Sequence, residues 1–131
     1  MATTTTLKNK SDVLELSKIC DKVRKSDKRI RHVGYYDGLG RILYDSIGYT
    51  ESIEDNEETH ILNGTVASTL NLWKPADNVI GEAKAFVFIT EKIVGLIVPV
   101  KNGNHLLAIF EAKTPLAFVE ETRAMIELEL S

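Results

Sequence analysis

Between Ala83 and Ala112 three apolar segments follow one another with only two short turns between them. The segments are Ala83–Thr90, Ile93–Val100 and His105–Ala112, and the turns are Glu91-Lys92 and Lys101-Asn102-Gly103-Asn104. Strands joined this tightly cannot cross over, so they must lie antiparallel in one sheet. Phe86-Val87-Phe88-Ile89 and Leu106-Leu107-Ala108-Ile109-Phe110 barely alternate between apolar and polar residues. Unbroken apolar runs require burial on both faces, so helices must cover both sides of the sheet. Pro99 cannot donate a ladder hydrogen bond and is expected at a strand end or bulge.

The rest of the chain supplies those helices. Val13, Leu16, Cys20 and Val23 recur at helical spacing up to about Lys25, with Asp12 and Glu15 spaced as a capping box. Ile30–Tyr36 and Arg41–Ile47 read as a hairpin around Asp37-Gly38-Leu39-Gly40. Asp37-Gly38 marks the turn, because Gly accepts positive φ, and Gly40 extends the loop toward a bulge. Gly48–Asp55 is a polar, acidic loop. A second helix starts after Asp55 or Asn56, carries Leu62, Val66, Leu70 and Trp73 on one stripe, and is predicted to stop at Lys74-Pro75. Gly64, Ala67 and Ser68 form a small-residue patch on it. A last helix opens at Thr114-Pro115, with Thr114 as the expected N-cap. The order is αββαβββα, an α+β fold.

At 131 residues the chain fits one domain with a real core, taken as residues 11–131 behind a flexible tail of residues 1–10. No apolar run reaches membrane-spanning length, and the Thr- and Lys-rich start lacks the apolar region of a secretory signal. A single cysteine, Cys20, excludes an internal disulfide and suits a reducing, cytoplasmic setting; its helical position makes it a small buried hydrophobe.

Chemistry-bearing patterns are sparse. His32, His60 and His105 fall in separate elements without a second ligand at metal spacing, so no metal is expected. Gly38-Leu39-Gly40 lacks the third glycine and following helix of a dinucleotide site, and no phosphate loop or catalytic motif occurs, so neither a cofactor nor an enzymatic activity is expected. Glu51, Glu54, Asp55, Glu57 and Glu58 form an acidic patch without a Ca²⁺-loop pattern. Residues 1–50 hold ten Lys/Arg against six Asp/Glu, a balance of +4, while residues 51–131 balance at −7. The basic half concentrates Lys22, Arg24, Lys25, Lys28, Arg29 and Arg31 around the end of the first helix. Those cations suit the helix C-terminal dipole and are also a candidate partner-binding patch. A pI near 5.6 and the absence of interleaved aromatics argue against nucleic acid.

The element order, with a hairpin running from Tyr36-Asp37-Gly38 back to Asp45-Ser46, resembles the roadblock/LC7 family of the profilin-like superfold over roughly residues 12–130. Lys18-Ile19-Cys20-Asp21-Lys22-Val23 followed by Ile30-Arg31-His32-Val33-Gly34 is similar to small uncharacterised archaeal proteins of that type. The resemblance implies a five-stranded antiparallel sheet with the outer helices on one face and the middle helix on the other. It implies no catalytic residues, homodimers joined through the middle helix and the strand after it, and service as a platform for small GTPases or other signalling complexes. In such a dimer Ala83–Thr90 pairs with its copy, and Gly64, Ala67, Ser68, Phe86 and Phe88 are the expected interface. The acidic segment Glu51–Glu58 departs from the family pattern. The other class left open is a PAS-like sensory domain holding a small molecule between helix and sheet.

Overall fold

The computed structural model describes residues 10–48 and 57–131, with the side chains of residues 10–12 and 57–59 left out of the description. The tail, the acidic loop and the cap at Asp55 or Asn56 therefore lie outside the described residues, as do the side chains of Asp12, Glu57 and Glu58. The elements are α1 (Lys10–Lys25), β1 (Ile30–Tyr36), β2 (Ile42–Ile47), α2 (Glu57–Ile80), β3 (Phe86–Ile89), β4 (Ile93–Pro99), β5 (His105–Glu111) and α3 (Leu116–Leu130). All strands join one antiparallel sheet in the order β2-β1-β5-β4-β3, the architecture expected from the sequence.

The two faces of the sheet carry two cores. Leu16, Cys20 and Val23 of α1 and Val119 and Ile126 of α3 pack on Val33, Tyr35, Val94, Leu96, Val98, Leu106, Ala108 and Phe110. Val66 of α2, with Leu62 and Leu70 beside it, packs on Tyr36, Ile97, Leu107 and Ile109. β5 sits at the centre and is buried from His105 to Phe110, which is why its sequence does not alternate. Pro99 ends β4 opposite His105, so its missing N–H costs little of the ladder.

Several local expectations are corrected. α1 begins at Lys10, which puts Asp12 inside the helix rather than at its cap. The positive φ of the hairpin falls on Gly40 (+85°), not Gly38. The Asp37 carboxylate organises that loop by accepting the Leu39 and Arg41 amides, both at 2.9 Å. This is a three-residue loop with a left-handed third position, and the register slips beside it between Tyr35 and Tyr36. α2 passes through Pro75 and runs on to Ile80. Proline there removes one hydrogen bond, but it lies on an exposed stretch where water can serve the freed carbonyl. The helix ends instead at Gly81, whose φ of +97° and amide bond to the Asp77 carbonyl form a left-handed cap. Thr114 is not the cap of α3: its hydroxyl donates backward to the Glu111 carbonyl at 2.6 Å, and Pro115 takes the cap position. β3 spans only Phe86–Ile89, because Ala83 turns its amide to the Asp77 carboxylate and stays outside the ladder.

Candidate interaction surfaces

α2 is covered on its inner stripe and bare on its outer one. Ile61, Leu72 and Val79 are 63%, 82% and 81% exposed, with Thr65 and Ser68 on the same stripe. Those five positions carry no charge, which is unusual for the solvent side of a helix. Gly64 borders that stripe, and a Cβ built on it would meet nothing within 4 Å. Beside the helix, β3 is an edge strand whose Val87 and Ile89 are exposed on the α3 side. The sequence signal for the bare stripe was available: Ile61, Leu72 and Val79 fall off the core stripe of Leu62, Val66 and Leu70, at spacings that bring them together.

The residues expected at an interface are split. Gly64 and Ser68 lie toward the open side, whereas Ala67 is buried under the helix. Phe86 and Phe88 are half-buried and both turn toward α2. Phe86 meets Trp73 edge-on at 5.5 Å. Phe88 lies across Gly95, where a Cβ would come within 2.1 Å of the ring.

The basic cluster is partly spent on the fold. Lys22 pairs with Glu129. Arg29 holds both oxygens of Asp27 at 3.0 Å and covers the Phe118 ring at 3.9 Å. That bond to Arg29 is the first cause that brings the Asp27 carboxyl down to about 2. Arg24 donates to the Ser46 hydroxyl at 3.1 Å, and Arg31 lends its carbonyl to Gly48. Arg24, Lys25 and Lys28, with Asp27 among them, line a shallow notch of about 220 Å³.

Two polar features lie on the α2 side of the sheet. His32 Nε2 is 2.6 Å from Asp45 Oδ1 and 3.1 Å from the Tyr36 hydroxyl, and Tyr36 stacks on His105 at 5.5 Å. Gly34 permits this row, since a Cβ there would sit 2.7 Å from the Tyr36 hydroxyl. Burial pushes the Tyr36 phenol well above its ordinary range and lowers His105 to about 4, so both stay neutral near pH 7. The row suits packing better than chemistry, because His32, Tyr36 and His105 are closed off from solvent and only Asp45 reaches it. The second feature is a cleft of about 600 Å³ between the far half of α2 and the Lys101–Asn104 turn. Neither was visible in the sequence, because only strand register and the place of the β4–β5 turn beside α2 bring these residues together. Among the described residues no group of three or more His, Cys, Asp or Glu side chains is placed to hold a metal, and no helix is long and apolar enough to cross a membrane.

No family model matches the sequence, and no curated protein matches it. Solved structures do match in shape. MglB of Myxococcus xanthus superposes with a TM-score of 0.71 at 20% identity, over 95% of this chain and 91% of that one. The Roadblock/LC7 domain from Streptomyces avermitilis gives 0.64 at 10% identity, over 84% and 89%. This chain has the roadblock/LC7 fold. An MglB with a tetrameric arrangement shares it as well, at a TM-score of 0.70 and 14% identity, over 99% of this chain and 95% of that one. The two organisms so identified are bacteria, so these roadblock/LC7 structures lend no support to the archaeal kinship suggested by Lys18–Val23. Identities this low establish the shared fold alone.

Proposed function

We propose that this chain is a non-catalytic, homodimeric interaction module that serves as a scaffold or regulator of a small GTPase or a signalling complex. The observation that carries the reading is the uncharged edge strand β3 beside the uncharged outer stripe of α2. An apolar edge left open is a template for uncontrolled pairing. Isologous pairing of β3 with its copy closes that edge on both subunits and stops growth. The α2 helices then meet across the two-fold axis, and Gly64 and Ser68 permit close approach. Gly64 supports this directly: a glycine inside a helix costs about 1 kcal/mol against alanine, and no contact within the subunit requires it. Phe86 and Phe88 act from inside, by holding β3 flat against α2. The role of platform for a small GTPase follows from the resemblance and the shared fold. The notch of Arg24, Lys25 and Lys28 offers such a partner an acidic-surface contact, with Lys22, Arg29 and Arg31 framing it.

Analytical ultracentrifugation tests the central step. The expected result at tens of micromolar is a species near twice 14.6 kDa. A wild-type chain that stays at 14.6 kDa removes the physical basis of the reading. A Leu72→Glu variant, changed at a fully solvent-facing position, is expected to be folded and monomeric.

A further inference from the structure

We propose that the cleft between α2 and the Lys101–Asn104 turn is a binding site for a small zwitterion of about dipeptide size. The cleft's roughly 600 Å³ falls within the range of ligand pockets. It is walled by separate parts of the chain: the far half of α2, the connection from α2 into β3, the tight turn between β4 and β5, and Gly38 of the β1–β2 loop. Charges of both signs line it. Lys74 stands on the helix wall, Lys101 on the turn, and Glu82 on the connection. Among the described residues none of these three is held in an ion pair, unlike Lys22, Arg29, Arg41 and Arg123 elsewhere on the surface. Asp77, the other carboxylate there, already accepts the Ala83 amide.

The apolar part of the lining holds Leu70, Pro99 and Val100 together with two aromatic rings. Trp73 and Phe86 meet edge-on there, and Trp73 keeps 39% of its surface exposed. His105 also belongs to the lining; the residue is 1% exposed, and among the described residues its Nδ1 has no hydrogen-bond partner. A buried polar nitrogen without a partner is costly and rare. A carboxylate between Lys74 and Lys101, an ammonium at Glu82 and an apolar body on Trp73 and Phe86 match this lining group by group. A purely anionic or purely cationic molecule leaves one of the signs unanswered. The site gives the small-molecule alternative a location, and it stands whether or not the chain dimerises.

Trp73 is the only tryptophan in the chain, so its emission, read at one fixed protein concentration, reports on this cleft. The probes are the dipeptide Ala-Phe, its N-acetyl form, which keeps only the anion, and its C-terminal amide, which keeps only the cation. Titrated into the full chain, Ala-Phe is expected to change Trp73 emission saturably with a Kd below about 1 mM, and each blocked form to bind at least about threefold more weakly. In a Lys74→Gln/Lys101→Gln variant the free dipeptide and its amide are expected to bind alike. In Glu82→Gln the free and N-acetyl forms are expected to bind alike. All three positions are exposed, so these variants keep the fold. No saturable response to any probe up to about 10 mM, or equal binding of all three to the wild type, overturns the proposal.

Discussion

Cys20 and His105 show how burial decides chemistry residue by residue. Cys20 has no exposed surface beneath α1, and burial, reinforced by the charges of Asp21 and Asp45, pushes its thiol up to about 12. The thiolate is the reactive form, so the native protein is expected to resist a disulfide reagent such as dithionitrobenzoate. One thiol per chain should be released promptly on adding denaturant; prompt labelling under native conditions would place Cys20 at the surface. His105 sets a pH dependence. Its folded value of about 4 lies below the ordinary 6.5 because burial disfavours the charged ring. Above pH 6.5 both states hold a neutral ring and the stability is fully present. Between 6.5 and about 4 the unfolded chain takes up a proton that the folded chain refuses, so stability falls as pH falls. The slope from this one group is at most about 1.4 kcal/mol per pH unit. Denaturant unfolding from pH 7.5 to 4.5 should show it, and His105→Gln should flatten it where His60→Gln, an exposed position, does not.

At the scale of elements, the connection between the β1–β2 hairpin and α2 is the sharpest constraint. Gly40 combines φ of +85° with a position where a Cβ would come within 2.6 Å of the Asn63 carbonyl oxygen. Both atoms that would clash are fixed by backbone, so Gly40→Ala is expected to cost about 1–3 kcal/mol by denaturant melts. Gly103→Ala, at φ +80° but with open space, should cost less. Indifference to Gly40→Ala would mean that the hairpin does not seat on α2. This seat was not legible in the sequence, which marked the turn at Asp37-Gly38 but not which glycine would turn left-handed. The strands were legible for a physical reason: apolar runs such as Leu106–Phe110 leave no solvent face, so only a central position fits them. The end of α2 was misread because Pro75 is a weak stop on an exposed stretch, while Gly81 acts through a cap that no periodicity reveals. Placement of the candidate sites was hidden for a different reason. His32, Asp45, Tyr36 and His105 meet only through the β2-β1-β5 register, and Lys74 and Lys101 only because the β4–β5 turn lies beside α2.

At the scale of the whole molecule, the sheet is closed by helices on both faces and open at two edges, and the β3 edge carries the least charge. Gly64 turns this into a discriminating experiment. Within one subunit nothing lies within 4 Å of a Cβ at that position, and alanine is the better helix former. Gly64→Ala is therefore expected to raise stability by up to about 1 kcal/mol at concentrations where the chain is monomeric. If α2 packs against its copy there, the same methyl group separates the two helices and weakens the dimer, by about tenfold for a loss near 1.4 kcal/mol. The two effects have opposite signs and separate readouts: denaturant melts of the dilute chain, and sedimentation across a concentration series. Hydrogen exchange adds a third, since the β3 amides not bonded to β4 should become protected only as concentration rises. A Gly64→Ala variant that melts later and dimerises as well as wild type would move the interface off α2. One that melts later and dimerises less would explain why a helix interior keeps a glycine that its own subunit does not need.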